Sequence, residues 1–270
     1  MARTAVVCGA VAIPSWVRAA QGNTVPSERI AVGLIGKGLM GSGHVRRLAG
    51  DPTVQVLAVC DVDRVRCEDG KRIVEETCAA NRPSGTYQGC AAYNDYRELL
   101  ARSDIDAVVI VTPDHWHTLQ AIDAAKAGKD IYCEKPISIM VREGRRLVEE
   151  VRRYGRIFQT GTQYRSIPTI RQVCEFVRAG GLGRVKSVFT LWNNLGGFIG
   201  SARFKPYEQV MDAKNSGGSY VPLDFALPGE PVPEGLDWDL WVGPAAWHPY
   251  NPLYHVNPSP GVVPWSFCED

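Results

Sequence analysis

Apolar and polar positions alternate in blocks along the first two thirds of the chain. Ile30 to Ile35 is a short apolar run that ends in glycines and reads as a buried strand. Val54 to Cys60, Ala107 to Val111 and Ile131 to Cys133 are three more such runs. Each is short and rich in β-branched residues, as expected of a strand buried on both faces. Helical patterns lie between them at Gly41 to Leu48, Arg64 to Cys78 and Thr118 to Ala127. A fourth, Val141 to Tyr154, would turn Val141, Leu147, Val148 and Val151 inward. Strands alternating with helices predict an α/β chain with a doubly wound parallel sheet. Ile157 to Gln159 reads as another strand, and Ile170 to Val177 as a helix closed by Gly180-Gly181. Val185 to Trp192 alternates with period two, which predicts a strand of a second sheet. Beyond Asn193 the chain is rich in Gly and Pro and predicts loops; four tryptophans there (Trp238, Trp241, Trp247 and Trp265) read as pins for those loops.

Composition narrows the class. The chain has 270 residues, 45% hydrophobic and 22% charged, which excludes a disordered, collagenous or coiled-coil protein. A net charge of +1 gives no electrostatic reason to expect nucleic acid or an anionic membrane as partner. The 8 cysteines are scattered, with no C-x-x-C pair to suggest zinc or a redox centre. Cys60 and Cys133 end apolar runs and read as small buried hydrophobes. Disulfides among Cys67, Cys78 and Cys90 would require an exported chain. Ala2 to Ala20 resembles a targeting segment: Arg3, an apolar run from Ala5 to Ile13, then Val17-Arg18-Ala19. The run is too short to span a bilayer, and a frayed extension fits it almost as well.

Three loops carry the candidate chemistry. Gly36-Lys37-Gly38-Leu39-Met40-Gly41 has the spacing G-x-G-x-x-G, directly after a strand and at the opening of a helix. The glycines allow a tight turn, close approach of backbone to a pyrophosphate, and close helix–strand packing. The amides of the helix start would then face the phosphates. Asp61 ends the second strand about 20 residues after the third glycine, where a carboxylate accepts hydrogen bonds from an adenosine ribose. It would repel a 2′-phosphate and favour NAD over NADP, a preference Arg64 could soften; the plainer role for Asp61 is a helix cap.

The third long strand ends in Thr112-Pro113-Asp114-His115-Trp116-His117, and loops at that edge of a doubly wound sheet meet the ligand. His117 is expected to bond cofactor ribose or substrate, and Asp114 to cap the next helix. No third ligand accompanies the two histidines, so no metal is expected. The fourth strand ends in Glu134-Lys135-Pro136, an unusual place for a charged pair unless it serves a site. A lysine there can move a proton when burial or positive charge, such as an oxidised nicotinamide ring, lowers its pKa. Pro136 also marks a place where a cis peptide can occur.

These residues together resemble the Gfo/Idh/MocA family, named for glucose-fructose oxidoreductase and inositol dehydrogenase. The resemblance rests on Gly36 to Gly41, Asp61, Tyr93 to Leu100, Thr112 to His117, Ala127-Gly128-Lys129 leading to Glu134-Lys135-Pro136, and Phe158 to Ser166. Asp237 to Pro244 and Pro249 to Pro252 are similar to a bacterial branch that often carries export signals. The family implies an N-terminal Rossmann domain over residues 27–137 and an open β-sheet domain of α+β type, here incomplete, over 138–270, with residues 1–26 as a signal segment. It implies Lys135 as the proton-moving residue, with Gly36, Gly38, Leu39, Met40, Gly41, Asp61, Thr112, Pro113, His117 and Glu134 on the cofactor. Gln163 and Arg165 would line the substrate, a sugar, cyclitol or related polyol, in a homo-oligomer. Family members carry D-x-x-x-H in the second domain, and none of the 5 histidines here follows an aspartate at that spacing. The chain is therefore expected to be the front part of a longer NAD(P)-dependent dehydrogenase. An NAD-dependent glycoside hydrolase of the same family, and an NAD binder without turnover, are the competing readings.

Overall fold

A computed structural model describes residues 29–81, 89–189 and 228–255. Its centre is one six-stranded sheet in the order β3-β2-β1-β4-β5-β6. The strands are β1 (Ile30–Ile35), β2 (Val54–Cys60), β3 (Ala91–Tyr93), β4 (Ala107–Ile110), β5 (Asp130–Glu134) and β6 (Phe158–Gly161). Every pairing is parallel. The crossovers are α1 (Leu39–Gly50), α2 (Arg64–Asn81), α3 (Tyr96–Leu100), α4 (Asp114–Lys126) and α5 (Val141–Arg153), followed by α6 (Pro168–Arg178). This is the Rossmann order, whose chain reverses between β1 and β4 and opens a crevice there.

Successive strand residues point to opposite faces, so each strand feeds two cores. Leu34, Val56 and Val59 pack with Val45 of α1 and Ile73, Val74 and Cys78 of α2. Ile35, Cys60 and Ile110 pack on the other face with Ala121, Ala124 and Ala125 of α4 and Leu147 of α5. Those three alanines are fully buried, which lets α4 lie close against the sheet.

Several boundaries differ from the sequence reading. Helix α4 starts at Asp114 rather than Thr118, because Pro113 presets the entry backbone and Trp116 is buried on the core side. Val141 is 85% exposed at the first position of α5, before that helix meets the core, so it does not face inward. The sheet takes β6 from beyond residue 137, so the parallel layer runs through Gly161. β3 has three residues, too few for a periodic signal. Val185 to Phe189 forms no strand and is exposed, while residues 190–192 lie outside the described residues. A strand needs a neighbour's backbone to pair with, and none of the described residues offers one there.

Cys60, Cys67, Cys78, Cys90 and Cys133 are buried and none of them is in a disulfide. Burial pushes the Cys67 thiol up to about 11 and the Cys90 and Cys133 thiols to about 12. The candidate signal segment, residues 1–26, lies outside the described residues.

Residues 228–255 form a strap across the carboxyl end of the sheet, with two short helices, α7 (Trp238–Val242) and α8 (Pro252–His255). Leu236, Trp238, Trp241, Val242, Tyr250 and Tyr254 make its small core. Trp238 and Trp241 stack at 4.7 Å and are buried, as loop pins should be, whereas Trp247 is 67% exposed and Trp265 lies outside the described residues.

The close approach of α4 gives a direct test. Ala124→Leu adds volume where nothing can yield, and should lower unfolding stability by about 1–3 kcal/mol. Val141→Ser on exposed surface should stay within about 0.5 kcal/mol. Urea unfolding followed by circular dichroism measures both.

Candidate active site

A cleft of about 680 Å³ opens at the carboxyl ends of β1, β2, β4 and β5. Gly36, Gly38, Leu39 and Met40 form one side of it. Gly36 has φ +91, and a Cβ there would stand 2.6 Å from the Val111 carbonyl oxygen. A Cβ on Gly41 would stand 2.1 Å from the Gly36 oxygen, so these two glycines hold turn, helix and strand together. A Cβ on Gly38 would meet nothing within 4 Å, which leaves open space above the helix start. No side chain caps α1 at Gly38, so its first amides are free for an anion. Leu39 and Met40 are 76% and 52% exposed and put apolar surface beside them. The cradle fits a dinucleotide pyrophosphate.

Asp61 is buried at the end of β2. Its Oδ2 accepts from the Lys37 amide at 2.6 Å and its Oδ1 from the Asp63 amide at 2.9 Å. Burial pushes its carboxyl above the usual range, against those two hydrogen bonds and the charge of Arg66. The helix-capping role belongs to Asp63, which accepts from the Val65 amide at 2.9 Å. Asp61 is left to the cleft. Arg64 pairs with exposed Glu234 at 3.4 Å, and Arg66 is the arginine that lines the cleft.

Thr112, Pro113, Glu134, Lys135 and Pro136 meet on the far side. The Lys135–Pro136 peptide is cis. Lys135 is exposed on the cleft, and its ammonium has no hydrogen-bond or ion-pair partner among the described residues. Asp114, in the first turn of α4, also lines the cleft and makes no side-chain cap. Burial raises its carboxyl, while the charges of His117 and Lys135 pull the other way. Thr112 Oγ1 donates to Gln120 Oε1 at 2.7 Å.

His117 is 1% exposed, and its nitrogens lie 2.6 Å from the Pro136 oxygen and 2.8 Å from the Thr112 oxygen. Both ring nitrogens are thus occupied by backbone, and His117 positions two loops rather than offering a nitrogen to ribose or substrate. His115 Nε2 lies 3.1 Å from the Trp241 oxygen. Glu134 is buried, with Oε1 2.9 Å from His44 Nε2 and accepting from Gln163 Nε2. Burial works to raise its carboxyl, but hydrogen bonds from His44, Gln163 and the Lys135 amide outweigh it and hold it low. Gln163 therefore reaches the site through Glu134, while Arg165 is exposed and does not line the cleft.

Two residues of this centre escaped sequence reasoning. His44 sits three positions after the last glycine of the turn, on the buried face of α1, and a polar residue on an apolar helix face was the available signal. Asp114 reads from sequence as a cap, and only its burial beside Lys135 marks it.

Residues 30–162 match the GFO_IDH_MocA family model, described as an oxidoreductase family with an NAD-binding Rossmann fold. The rhizopine catabolism protein MocA of Rhizobium meliloti is 31% identical over 157 residues, 58% of this chain and 45% of that protein. Inositol 2-dehydrogenase 3 of Saccharopolyspora erythraea is 32% identical, over 57% of this chain and 42% of its own. Glycosyl hydrolase family 109 protein 1 of a Shewanella species is 39% identical over 129 residues, 47% of this chain and 27% of its own. The solved myo-inositol 2-dehydrogenase of Lactobacillus plantarum superposes with a TM-score of 0.51 at 25% identity, covering 58% of this chain and 43% of that one. The matched part of the chain spans less than half of each of these proteins.

The Glu134 cluster predicts an acid-sensitive fold. A carboxyl held below its ordinary 4.5 stabilises the fold fully above that pH and loses the contribution as pH falls through the lower folded value. His44→Ala should cost about 1–3 kcal/mol and start this loss at a higher pH, as read from melting temperatures across the acid range. Gly36→Ala should abolish NAD binding in calorimetry, because it needs φ > 0 and collides with Val111.

Proposed function

Because its Rossmann domain belongs to the Gfo/Idh/MocA family of NAD-binding oxidoreductases, we propose that this chain is the cofactor-binding part of a dehydrogenase acting on a sugar, cyclitol or related polyol. The observation that carries the reading is the position of Lys135. It stands on the cleft beside Asp114 and across from the glycine turn and Asp61, with its ammonium unengaged among the described residues. The names of the inositol dehydrogenases among its relatives support a hydroxylated ring as substrate.

When bound, NAD supplies the hydride acceptor. The chain's residues do the rest. The α1 amides bind the pyrophosphate, Asp61 takes the ribose hydroxyls and favours NAD, and Lys135, as the neutral amine, takes the proton of the substrate hydroxyl and becomes the ammonium. Asp114 balances the charge so formed. Glu134, fixed by His44 and Gln163, anchors the backbone of Lys135 through its amide, 3.3 Å from Oε2. His117 holds Pro136 and Thr112 at a set separation, so the cofactor side and the lysine side keep their register.

The name of the Shewanella relative supports a second reading, a glycoside hydrolase that would use the same cofactor site. Release of a chromogenic aglycone without net reduced cofactor would select it. For the dehydrogenase, incubation with NAD and a panel of polyols should raise the absorbance of reduced nicotinamide. Lys135→Met should lower that rate at least about 100-fold and leave the NAD dissociation constant within a few-fold. Tight NAD binding without turnover on any polyol or glycoside would instead identify a cofactor binder.

A further inference from the structure

The strap closes one side of the cleft. The Asp237 amide donates to the Val62 oxygen at 2.9 Å, just past β2. The Trp241 oxygen accepts from Trp116 Nε1 at 3.2 Å, in the first turn of α4. Residues 237–241 therefore run from the end of β2 to the start of α4, and Leu240 and Trp241 line the cleft between them.

His255 lines the same cleft and is 8% exposed. Its Nε2 faces Asp63 Oδ2 at 3.4 Å, a long ion-pair contact. Its Nδ1 has no partner among the described residues. Arg66 Nη2 donates to the His255 oxygen at 3.0 Å, which fixes the backbone while leaving Nδ1 unsatisfied. A buried polar atom without a partner is costly, and native structures rarely keep one unless a ligand or water completes it. Asp63 is two residues from Asp61, so the ring with its unpartnered Nδ1 sits on the adenosine side of the cleft. The neighbouring charges are Asp61 and Asp63 against Arg66. That balance suits a neutral hydroxyl better than a second phosphate.

We propose that His255 binds the adenosine ribose of the dinucleotide through a hydroxyl, opposite Asp61, while Leu240 and Trp241 cover the base. The inference rests on the cofactor reading above. It makes the strap part of the cofactor site.

The test is calorimetry on the full chain with NAD, ADP-ribose and nicotinamide mononucleotide, together with melting temperatures of the unliganded proteins. His255→Phe keeps the ring volume and removes both nitrogens; His255→Gln keeps a polar group. His255→Phe should weaken NAD and ADP-ribose about tenfold, with the mononucleotide unchanged and the unliganded melting temperature no lower. His255→Gln should recover most of that affinity. Unchanged NAD affinity in His255→Phe overturns the proposal, as does equal loss in both variants accompanied by lower melting temperatures. If the unaltered chain binds neither NAD nor ADP-ribose, the cofactor reading falls and takes this proposal with it.

Discussion

Two backbones touch at the centre of this molecule, and there is no room between them for a single methyl group. The turn after β1 passes the end of β4 so closely that a Cβ on Gly36 would stand 2.6 Å from the Val111 oxygen and 2.8 Å from the Thr112 nitrogen. The Gly36 amide meanwhile donates to the Cys60 oxygen at 2.8 Å, and the Val111 amide to the Ile35 oxygen at 2.8 Å. Three strand ends are thereby knitted around one glycine. The direction of α1, the depth of the cleft and the reach of Asp61 all follow from that contact. A sheet whose order reverses at this point leaves its crevice there by topology, and the contact determines how narrow the crevice is.

The charged side of the site solves a different problem. A carboxylate at the end of a buried strand needs partners, or it neutralises. Glu134 draws them from two separate elements, His44 on α1 and Gln163 beyond β6. A Cβ on Gly161 would stand 2.9 Å from its carboxyl carbon, so β6 is also shaped around it. The outermost strand and the helix of the glycine turn are coupled through one buried ion. Lys135, next in the chain, inherits a backbone that is held from both directions.

The features legible in the sequence were those set by local spacing. The glycine turn, Asp61 and Glu134-Lys135-Pro136 each lie directly after an apolar run, and short connections put them at one end of the sheet. What stayed hidden depended on contacts between distant positions. His44 and Glu134 are 90 residues apart, and His115 and Trp241 are 126 apart, so no window of sequence joins them. His117 was readable as part of the site, but its role was not, because the carbonyls that occupy its ring belong to two different loops. Val141 failed for the opposite reason. Its helical spacing was right, but the first turn of α5 lies beyond the reach of the core.

The buried cysteines have a consequence for how this fold can be watched. Cys67, Cys78 and Cys90 belong to the apolar layer under α1 and α2, whereas Cys60 and Cys133 belong to the layer under α4 and α5. Burial keeps the thiols of Cys60, Cys67, Cys90 and Cys133 protonated and therefore unreactive while the layers are closed. The two faces of the sheet thus carry separate built-in chemical clocks, and the order in which these thiols become alkylated records which face opens first.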